Sequence, residues 1–368
     1  MKNLNFPQLF SRYSLNTKEI KNRMVLAPMT RSRATEEGVP QNMMSVYYQQ
    51  RAGAGLEITE ATQISLQGQG YANTPGIYNN AQVEAWKKVT DAVHEKGGKI
   101  FVQLWHVGRV SSSKVNGLQP LAPSALKANK TNVYIFEGEN KDATFVDVET
   151  PKEMTQADID NTIQDFRDAA KNAVEAGFDG VEIHGANGYL IDQFLRSNAN
   201  QRTDKYGGSK ENRTRFLLEV TKAVVEEIGA DKVGVRLSPF IKFKDMEDPE
   251  ILDTIMYAVP VLDSLKVTYL HLCEADWDDA PQVPEDFRVE LREEFQQTII
   301  ATGNMTPEKA EELLSKNFID LAGFGRKFIP NPDYPKRVQH QLPLAKIKDT
   351  HTLFGGRDEY GYTDYPAL

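Results

Sequence analysis

The chain alternates short apolar runs with amphipathic segments, and this alternation restricts its fold more than any other feature. Eight strand-like runs are each followed by a helix-like segment, the last of which is poorly defined. The runs are 23–28, 56–62, 99–105, 179–183, 232–237, 267–272, 298–301 and 319–323. Strands that alternate with helices indicate βαβ units and a parallel sheet. We therefore predict an α/β protein with a closed (β/α)8 TIM barrel, and a doubly wound open sheet is the alternative.

Two segments depart from the alternation. Residues 1–22 are predicted to form a cap in which 13–20 pairs as a small hairpin. Residues 106–152 follow the third strand as one long insertion, with a candidate hairpin within 133–148. No G-x-G-x-x-G follows the first strand, which counts against the open sheet. We expect a single barrel domain over residues 1–368, with the insertion as part of it.

Composition narrows the functional classes. The net charge is −9 and the isoelectric point is about 5.4, and no basic cluster suggests nucleic acid as a partner. The single cysteine, Cys273, argues against a disulfide framework and a thiolate metal cage. The N-terminus lacks an apolar signal region, and no apolar run approaches about 18 residues. We therefore expect a cytoplasmic protein without membrane contact, either a monomer or a homodimer.

The stretch 179–189, Asp-Gly-Val-Glu-Ile-His-Gly-Ala-Asn-Gly-Tyr, gathers three polar side chains where a predicted strand ends. Gly185 and Gly188 end the strand and free the backbone to turn. His184 and Asn187 offer two donors that could bind and polarise an acceptor oxygen. Tyr189 is a weak acid suited to protonating a carbanion-like carbon. We predict these three as the catalytic residues, although a lone strand-end histidine is more often structural.

The chemistry of a barrel lies at the carboxyl ends of its strands. The other residues at those ends are Pro28, Met29, Thr30, Ala61, Gln103, Trp105, Arg236, His271, Gly303, Asn304, Gly325 and Arg326. They form no histidine and carboxylate cluster, and Glu182 is expected to point away from His184. A metal-dependent barrel hydrolase, the main alternative from another class, would need such a cluster. We therefore predict no metal site.

A flat, anionic cofactor suits this set better. Gly303–Asn304 and Gly323–Arg326 follow the last two strands, where barrels often bind phosphate. Backbone amides and a guanidinium match a phosphate dianion, although the glycines could simply make tight turns. Gln103 has the donor and acceptor that an isoalloxazine edge needs, and Arg236 could stabilise negative charge on a reduced flavin. For Gln103 the alternative is a core amide with satisfied hydrogen bonds, and for Arg236 it is a structural ion pair. Thr30 could donate a hydroxyl to the flavin ring.

Aromatic residues near the predicted loops could wall a flat substrate pocket. These are Tyr71, Trp105 and Trp277, for which ordinary packing is an equal alternative. Cys273 follows the sixth strand without an evident partner base, and we expect it to be a small buried residue.

Several strings resemble the Old Yellow Enzyme family, in the same order along nearly the whole chain. They include Ala27-Pro-Met-Thr-Arg31, Phe101-Val-Gln-Leu-Trp-His106, Val181-Glu-Ile-His-Gly-Ala-Asn-Gly-Tyr-Leu190, Gln201-Arg-Thr-Asp-Lys-Tyr-Gly-Gly208 and Gly323-Phe-Gly-Arg326. Each string alone would be weak evidence, whereas together they are highly specific. The likeness is greatest to the bacterial N-ethylmaleimide and nitrate-ester reductase branch.

The resemblance implies a barrel with tightly bound, non-covalent FMN that oxidises NADPH or NADH. Its acceptors would be α,β-unsaturated carbonyl or nitro compounds, with nitrate esters and N-ethylmaleimide as further candidates. Turnover would be ping-pong, with hydride from flavin N5 and a proton from Tyr189. By matching position, the flavin ring would contact Pro28, Met29, Thr30, Ala61, Gln103 and Arg236, and the phosphate would contact Gly303, Asn304, Gly325 and Arg326. His184 and Asn187 would bind the acceptor oxygen.

Two positions depart from the family pattern. Asn187 stands where near relatives often have a second histidine, and Phe354 stands at the pocket rim where several have tyrosine. We expect catalysis to be retained and acceptor preference to change. A flavin-binding protein without ene-reductase turnover is one alternative. A dienoyl reductase with an iron–sulfur cluster is excluded because one cysteine cannot supply the usual four thiolates.

Overall fold

A computed structural model describes residues 5–137, 142–275, 280–356 and 358–368. The strands in chain order are β1 (Tyr13–Leu15), β2 (Lys18–Ile20), β3 (Met24–Leu26), β4 (Leu56–Gln63), β5 (Ile100–Trp105), β6 (Leu121–Ala122), β7 (Asn132–Glu137), β8 (Asp142–Asp147), β9 (Lys152–Glu153), β10 (Gly180–Gly185), β11 (Val233–Leu237), β12 (Tyr269–Cys273), β13 (Thr298–Thr302) and β14 (Leu321–Phe324). Eight of them, β3–β5 and β10–β14, are parallel neighbours in a closed barrel. The predicted barrel is confirmed, and the open sheet is not found.

Helices follow every barrel strand. They are α1 (Asn42–Arg51), α2 (Asn80–Glu95), α3 (Ser113–Asn116), α4 (Gln156–Glu175), α5 (Leu190–Leu195), α6 (Lys210–Ile228), α7 (Ile251–Ser264), α8 (Glu285–Glu294), α9 (Pro307–Ser315) and α10 (Tyr334–His340). A capping box of Thr155 and Asp158 starts α4, and the Thr306 side chain caps α9. Such caps satisfy backbone N–H groups that the first turn of a helix leaves without partners.

The insertion after β5 contains short elements of its own. It begins with α3, and β7 and β8 pair antiparallel, which confirms the predicted hairpin. β6 and β9 form a two-residue parallel pair. Neither α3 nor α5, which directly follows the turn after β10, was expected, and α10 gives the poorly defined eighth segment a definite place. That the whole chain is one domain stays a prediction.

Side chains inside the barrel form an apolar layer towards the amino-terminal ends of the strands. It comprises Val25, Leu56, Ile58, Phe101, Tyr269, Ile300 and Leu321. The β1–β2 hairpin closes this end, because Leu15 and Ile20 pack against the layer with only 1% and 2% of their surface exposed. Above the layer the interior becomes polar, which is unusual for a barrel core and locates the site at the opposite end. In the part of the chain described above, no helix is long and apolar enough to cross a membrane.

Truncating Leu15 of the β1–β2 hairpin should destabilise the fold. We expect Leu15→Ala to lower the free energy of unfolding by about 2–5 kcal/mol, because a buried leucine is lost and a cavity remains. Chemical denaturation of the purified protein measures this change. Glu19→Ala, on the exposed side of the same hairpin, is the control and should change stability by less than about 0.5 kcal/mol. Equal effects of the two substitutions would mean that the packing of Leu15 against the apolar layer does not stabilise the fold.

Candidate active site

The end of β10 and the turn after it carry the three predicted catalytic residues, with His184 still on the strand. Asn187 and Gly188 have φ angles of +59° and +79°, a left-handed conformation that asparagine and glycine tolerate. The backbone N–H of Asn187 donates to Ser238 Oγ at 2.8 Å, and that of Gly188 donates to Asp192 Oδ2 at 2.9 Å. Hydrogen bonds from two neighbouring segments therefore fix the turn, and Tyr189 directly precedes α5.

The turn brings His184 and Tyr189 against two of the predicted aromatic residues. The Tyr189 ring lies edge-on to Trp105, with centroids 4.9 Å apart, and edge-on to His184 at 5.1 Å. Tyr71 stacks on Trp105 at 5.7 Å. The hydroxyls of Tyr71 and Tyr189 are 3.3 Å apart. The predicted proton donor therefore lies in an aromatic wall, and Tyr71 and Trp105 are part of it.

Several buried polar atoms of this cluster lack a hydrogen-bond partner among the described residues. They are His184 Nδ1, Asn187 Oδ1 and Trp105 Nε1. Because a buried polar atom without a partner is costly, these atoms mark a place for a ligand. Burial, reinforced by the charges of Arg236, Lys244 and His271, holds the pKa of His184 well below its ordinary value. His184 is therefore neutral, with one ring N–H to donate.

Gln103 and Arg236 point into the barrel from the two strands that flank β10. Gln103 Nε2 donates to a Glu182 carboxylate oxygen at 2.7 Å, which leaves the amide oxygen for another donor. Arg236 Nη2 contacts Cys273 Sγ at 3.4 Å, and its buried Nε has no partner in the described part of the chain. Ala61 pairs with Gln103 just after a bulge in β4. Cys273 is buried, as expected.

The expectation that Glu182 points away from His184 is wrong. Side chains alternate along a strand, so residues two apart share a face. Glu182 is fully buried inside the barrel, and His271 Nδ1 lies 2.7 Å from its second oxygen. His271 Nε2 lies 2.7 Å from Thr302 Oγ1. Glu182 and His271 form a hydrogen-bonded pair; among the described residues no group of three or more histidine, cysteine or acidic side chains could hold a metal ion.

The two predicted phosphate loops lie side by side. Gly303–Asn304 follows β13 and Gly325–Arg326 follows β14, and these strands are paired neighbours. A Cβ added to Gly303 would lie 2.4 Å from the Ala275 nitrogen, and one added to Gly325 would lie 3.2 Å from Met29 Sδ. Both glycines therefore allow close approach, the second between this loop and Pro28–Thr30. Asn304 and Arg326 are exposed at the rim.

Of the remaining predicted substrate residues, Phe354 is not brought into the aromatic wall. Phe354 has 39% of its surface exposed, and its carbonyl oxygen accepts from the Tyr134 hydroxyl at 3.4 Å, next to the β7–β8 hairpin. Trp277 lies outside the described residues.

Lys244 belongs to the cluster although no sequence pattern indicated it. Its Nζ lies 4.5 Å from the Tyr189 ring centroid and donates to the Asn187 carbonyl oxygen at 3.2 Å. Arg109 Nη2 holds the same loop by donating to the Asp245 carbonyl oxygen at 2.8 Å. Because this loop follows β11 and reaches back over the turn after β10, only the fold brings the ammonium to the phenol.

The chain is similar to known proteins of one family. A model described as the NADH:flavin oxidoreductase / NADH oxidase family matches residues 8–345. The chain belongs to this family. It is 44% identical to putative 12-oxophytodienoate reductase 11 of Oryza sativa subsp. japonica, over 98% of this chain and 97% of that protein. It is 42% identical to 12-oxophytodienoate reductase 2 of Arabidopsis thaliana, over 98% and 96%.

Solved structures agree with the Old Yellow Enzyme resemblance. Morphinone reductase matches with a TM-score of 0.94 at 44% identity, covering 100% of this chain and 98% of that chain. The old yellow enzyme homologue of Zymomonas mobilis matches with a TM-score of 0.92 at 39% identity, covering 98% and 99%. The predicted family, the FMN cofactor, and NADH or NADPH as reductant are thereby confirmed for this oxidoreductase. The bacterial branch stays a prediction.

The barrel mouth of this Old Yellow Enzyme-type protein fits FMN. The unpartnered Arg236 Nε is a buried cationic donor, and Gln103 has an amide oxygen to offer. The loops after β13 and β14 lie side by side and carry the exposed Arg326 guanidinium, a cation that matches a phosphate. The assignment of individual residues to parts of the cofactor stays a prediction.

Removing the buried guanidinium tests this fit. We expect Arg236→Met to raise the FMN dissociation constant about ten- to a hundredfold, because a hydrogen bond to a charged group is lost at constant side-chain bulk. Fluorescence of flavin released on dilution of the holoprotein gives the constant. Arg167→Met is the control, since Arg167 lies on the outer surface of α4, where it pairs with Glu226. An unchanged constant for Arg236→Met would place the flavin elsewhere.

Proposed function

We propose that the chain reduces activated C=C bonds of α,β-unsaturated carbonyl and nitro compounds with electrons from NAD(P)H. One observation carries the proposal: His184 and Tyr189 pack together with Trp105, and the buried atoms His184 Nδ1, Asn187 Oδ1 and Trp105 Nε1 have no hydrogen-bond partner among the described residues. The names of the relatives, 12-oxophytodienoate reductase and morphinone reductase, support an acceptor that contains an oxo group. N-ethylmaleimide and nitrate esters are further acceptors in this proposal.

In this proposal residues at the barrel mouth would hold the ring and the phosphate of FMN. The residues assigned to hold them are Pro28, Met29, Thr30, Ala61, Gln103, Arg236, Gly303, Asn304, Gly325 and Arg326. When bound, FMN takes up hydride equivalents from the nicotinamide and supplies them to the acceptor. Arg236 would hold a fixed positive charge beside the flavin ring and would favour the reduced, more negative form, because the low-dielectric interior strengthens charge interactions.

His184 and Asn187 activate the acceptor by hydrogen bonding. Each donates an N–H to the carbonyl or nitro oxygen, which draws electron density away from the conjugated alkene. The β-carbon then becomes the electrophilic position. Because His184 is neutral, this activation uses hydrogen bonds rather than proton transfer from the imidazole. Asn187 donates from an amide, where near relatives often have a second histidine, and an amide cannot ionise.

Tyr189 completes the reduction by giving its hydroxyl proton to the α-carbon. The Tyr71 hydroxyl, 3.3 Å away, can hydrogen-bond to the phenol oxygen as the proton leaves. The Lys244 ammonium, 4.5 Å from the ring centroid, favours the anionic form that remains. Trp105 and Tyr71 provide a flat apolar wall for both the nicotinamide and the alkene. A single pocket for both explains a ping-pong order in which one leaves before the other enters.

A visible absorption spectrum tests the proposed function most directly. We expect the yellow holoprotein to bleach with NADPH under anaerobic conditions and to regain its colour on addition of 2-cyclohexenone. Bleaching without recovery on any enone would leave a flavin protein that lacks ene-reductase turnover. Recovery establishes both half-reactions in one sample.

Tyr189→Phe separates proton donation from the rest of the cycle. We expect reoxidation by 2-cyclohexenone to slow about 10²- to 10⁴-fold, the usual contribution of a general acid. Reduction by NADPH needs no proton from this phenol and should stay close to the wild-type rate. Stopped-flow absorbance measures the two half-reactions separately. Equal losses in both steps would remove Tyr189 from the proton-donor role.

Replacing both oxygen-binding residues tests acceptor recognition. We expect His184→Ala combined with Asn187→Ala to weaken binding of a phenol to the oxidised protein by roughly tenfold or more, since two hydrogen bonds are lost. Because burial holds the pKa of His184 well below its ordinary value, His184 stays neutral as the pH falls through the usual histidine range. Wild-type affinity for the neutral phenol should therefore be constant from about pH 8 to 6. Spectral titration of the flavin band measures both, and unchanged affinity in the double variant would locate the oxygen site elsewhere.

A further inference from the structure

A buried carboxylate beneath the proposed flavin site has no part in the mechanism above. Glu182 lies on β10 with none of its surface exposed, two residues before His184 and on the same face. Its two oxygens contact different strands: one accepts from Gln103 on β5 and the other from His271 on β12, each at 2.7 Å. Glu182 therefore links three barrel strands, β5, β10 and β12, directly below the mouth of the barrel.

The hydrogen-bond chain through Glu182 has only one consistent direction. An ionised carboxylate accepts and cannot donate, so His271 must carry its proton on Nδ1 and Gln103 must present an N–H. His271 Nε2 is then an acceptor, and the Thr302 hydroxyl donates to it across 2.7 Å. The chain therefore runs from Thr302 to His271 to Glu182, and from Gln103 to Glu182.

The charge state that this chain requires agrees with the surroundings of each group. Burial opposes ionisation of Glu182, but His271, Arg236 and Gln103 together outweigh it and hold the pKa of Glu182 below its ordinary value. Burial is also the largest effect on His271 and lowers its pKa, although Glu182 works in the opposite direction. The polar layer thus combines a carboxylate, a neutral imidazole and the Arg236 cation.

We propose that Glu182 is a positioning residue for the cofactor, fixing the Gln103 carboxamide so that its oxygen is the group offered to the flavin. An isolated glutamine can present either its oxygen or its NH₂ group, because the two ends have similar size and shape. The carboxylate removes that freedom by taking the N–H end. With one N–H held by Glu182, the amide oxygen of Gln103 would face the flavin as an acceptor and match the donor N–H of its pyrimidine ring. The inference rests on the FMN placement over Gln103 proposed above.

A double-mutant cycle tests whether Glu182 acts through Gln103. The variants are Glu182→Gln, Gln103→Ala and the two combined, and the readout is the FMN dissociation constant from flavin fluorescence on dilution of the holoprotein. We expect each single substitution to raise the constant about tenfold. The double variant should be no weaker than Gln103→Ala alone, because the carboxylate then has no amide to orient. Glu182→Asp, which keeps the charge but shortens the reach, should lose affinity as Glu182→Gln does.

Glu57→Gln is the matched control. Glu57 is a fully buried glutamate on β4, but it faces away from the interior, since its neighbours Leu56 and Ile58 point inwards. Burial raises the pKa of Glu57 well above its ordinary value, although Arg51 and Lys21 oppose the rise. Glu57 is therefore neutral, and glutamine is a close replacement for it. The FMN dissociation constant should be unchanged in this variant.

Two results would overturn the proposal, and they differ in meaning. If Glu182→Gln weakens FMN binding by the same factor with and without Gln103, then Glu182 acts independently of the amide. If Gln103→Ala leaves FMN affinity unchanged, the placement of the flavin over Gln103 is wrong. Neither result depends on enone turnover, so failure of the proposed reaction is recognised separately in the reoxidation assay. Should Glu182→Gln not fold, the same cycle with Glu182→Asp decides the question.

Discussion

The register between β5, β10 and β11 is the constraint on which the site depends. These three parallel strands are consecutive in the barrel, with Glu182 opposite Gln103 and His184 opposite Arg236. A slip of one residue would turn every one of these side chains from the interior to the helical shell. The alternating apolar residues of the same strands, such as Val181 and Ile183, oppose that slip because they pack against the helices. Packing on the outside of the barrel thus secures the polar arrangement inside it.

The barrel interior has two layers, which contribute differently to the protein. The lower layer is apolar and is closed by the β1–β2 hairpin, so it supplies hydrophobic burial. The layer above contains ionisable groups, which are costly to bury and stable only with partners. Glu182 and Glu57 illustrate the point, since both are fully buried but have pKa values displaced in opposite directions. Partners, and not depth of burial, decide which of the two glutamates carries charge.

Periodicity in the sequence sufficed for the architecture and for the turn after β10. Strand-like runs, helix caps at Thr155 and Thr306, and a glycine-bounded polar cluster are local signals, and local signals are what a sequence displays directly. The failures concern contacts between distant segments. Lys244 reaches Tyr189 only because the loop after β11 folds over β10, and His271 reaches Glu182 only across the barrel interior. Glu182 is a different case, because its spacing of two residues from His184 is visible in the sequence and by itself places both side chains on one face of β10.

The left-handed backbone at position 187 limits which side chains can evolve there. Asparagine and histidine are both enriched at positive φ, whereas β-branched and bulky residues are strongly disfavoured. This backbone conformation is therefore compatible with either an amide or an imidazole at the position of the proposed second donor. Only a few residue types can therefore occupy position 187, which limits how far substitutions there can change the substrate range. A library for altered acceptors should be centred on Tyr71, which lies in the aromatic wall and has no positive φ, and kept narrow at Asn187.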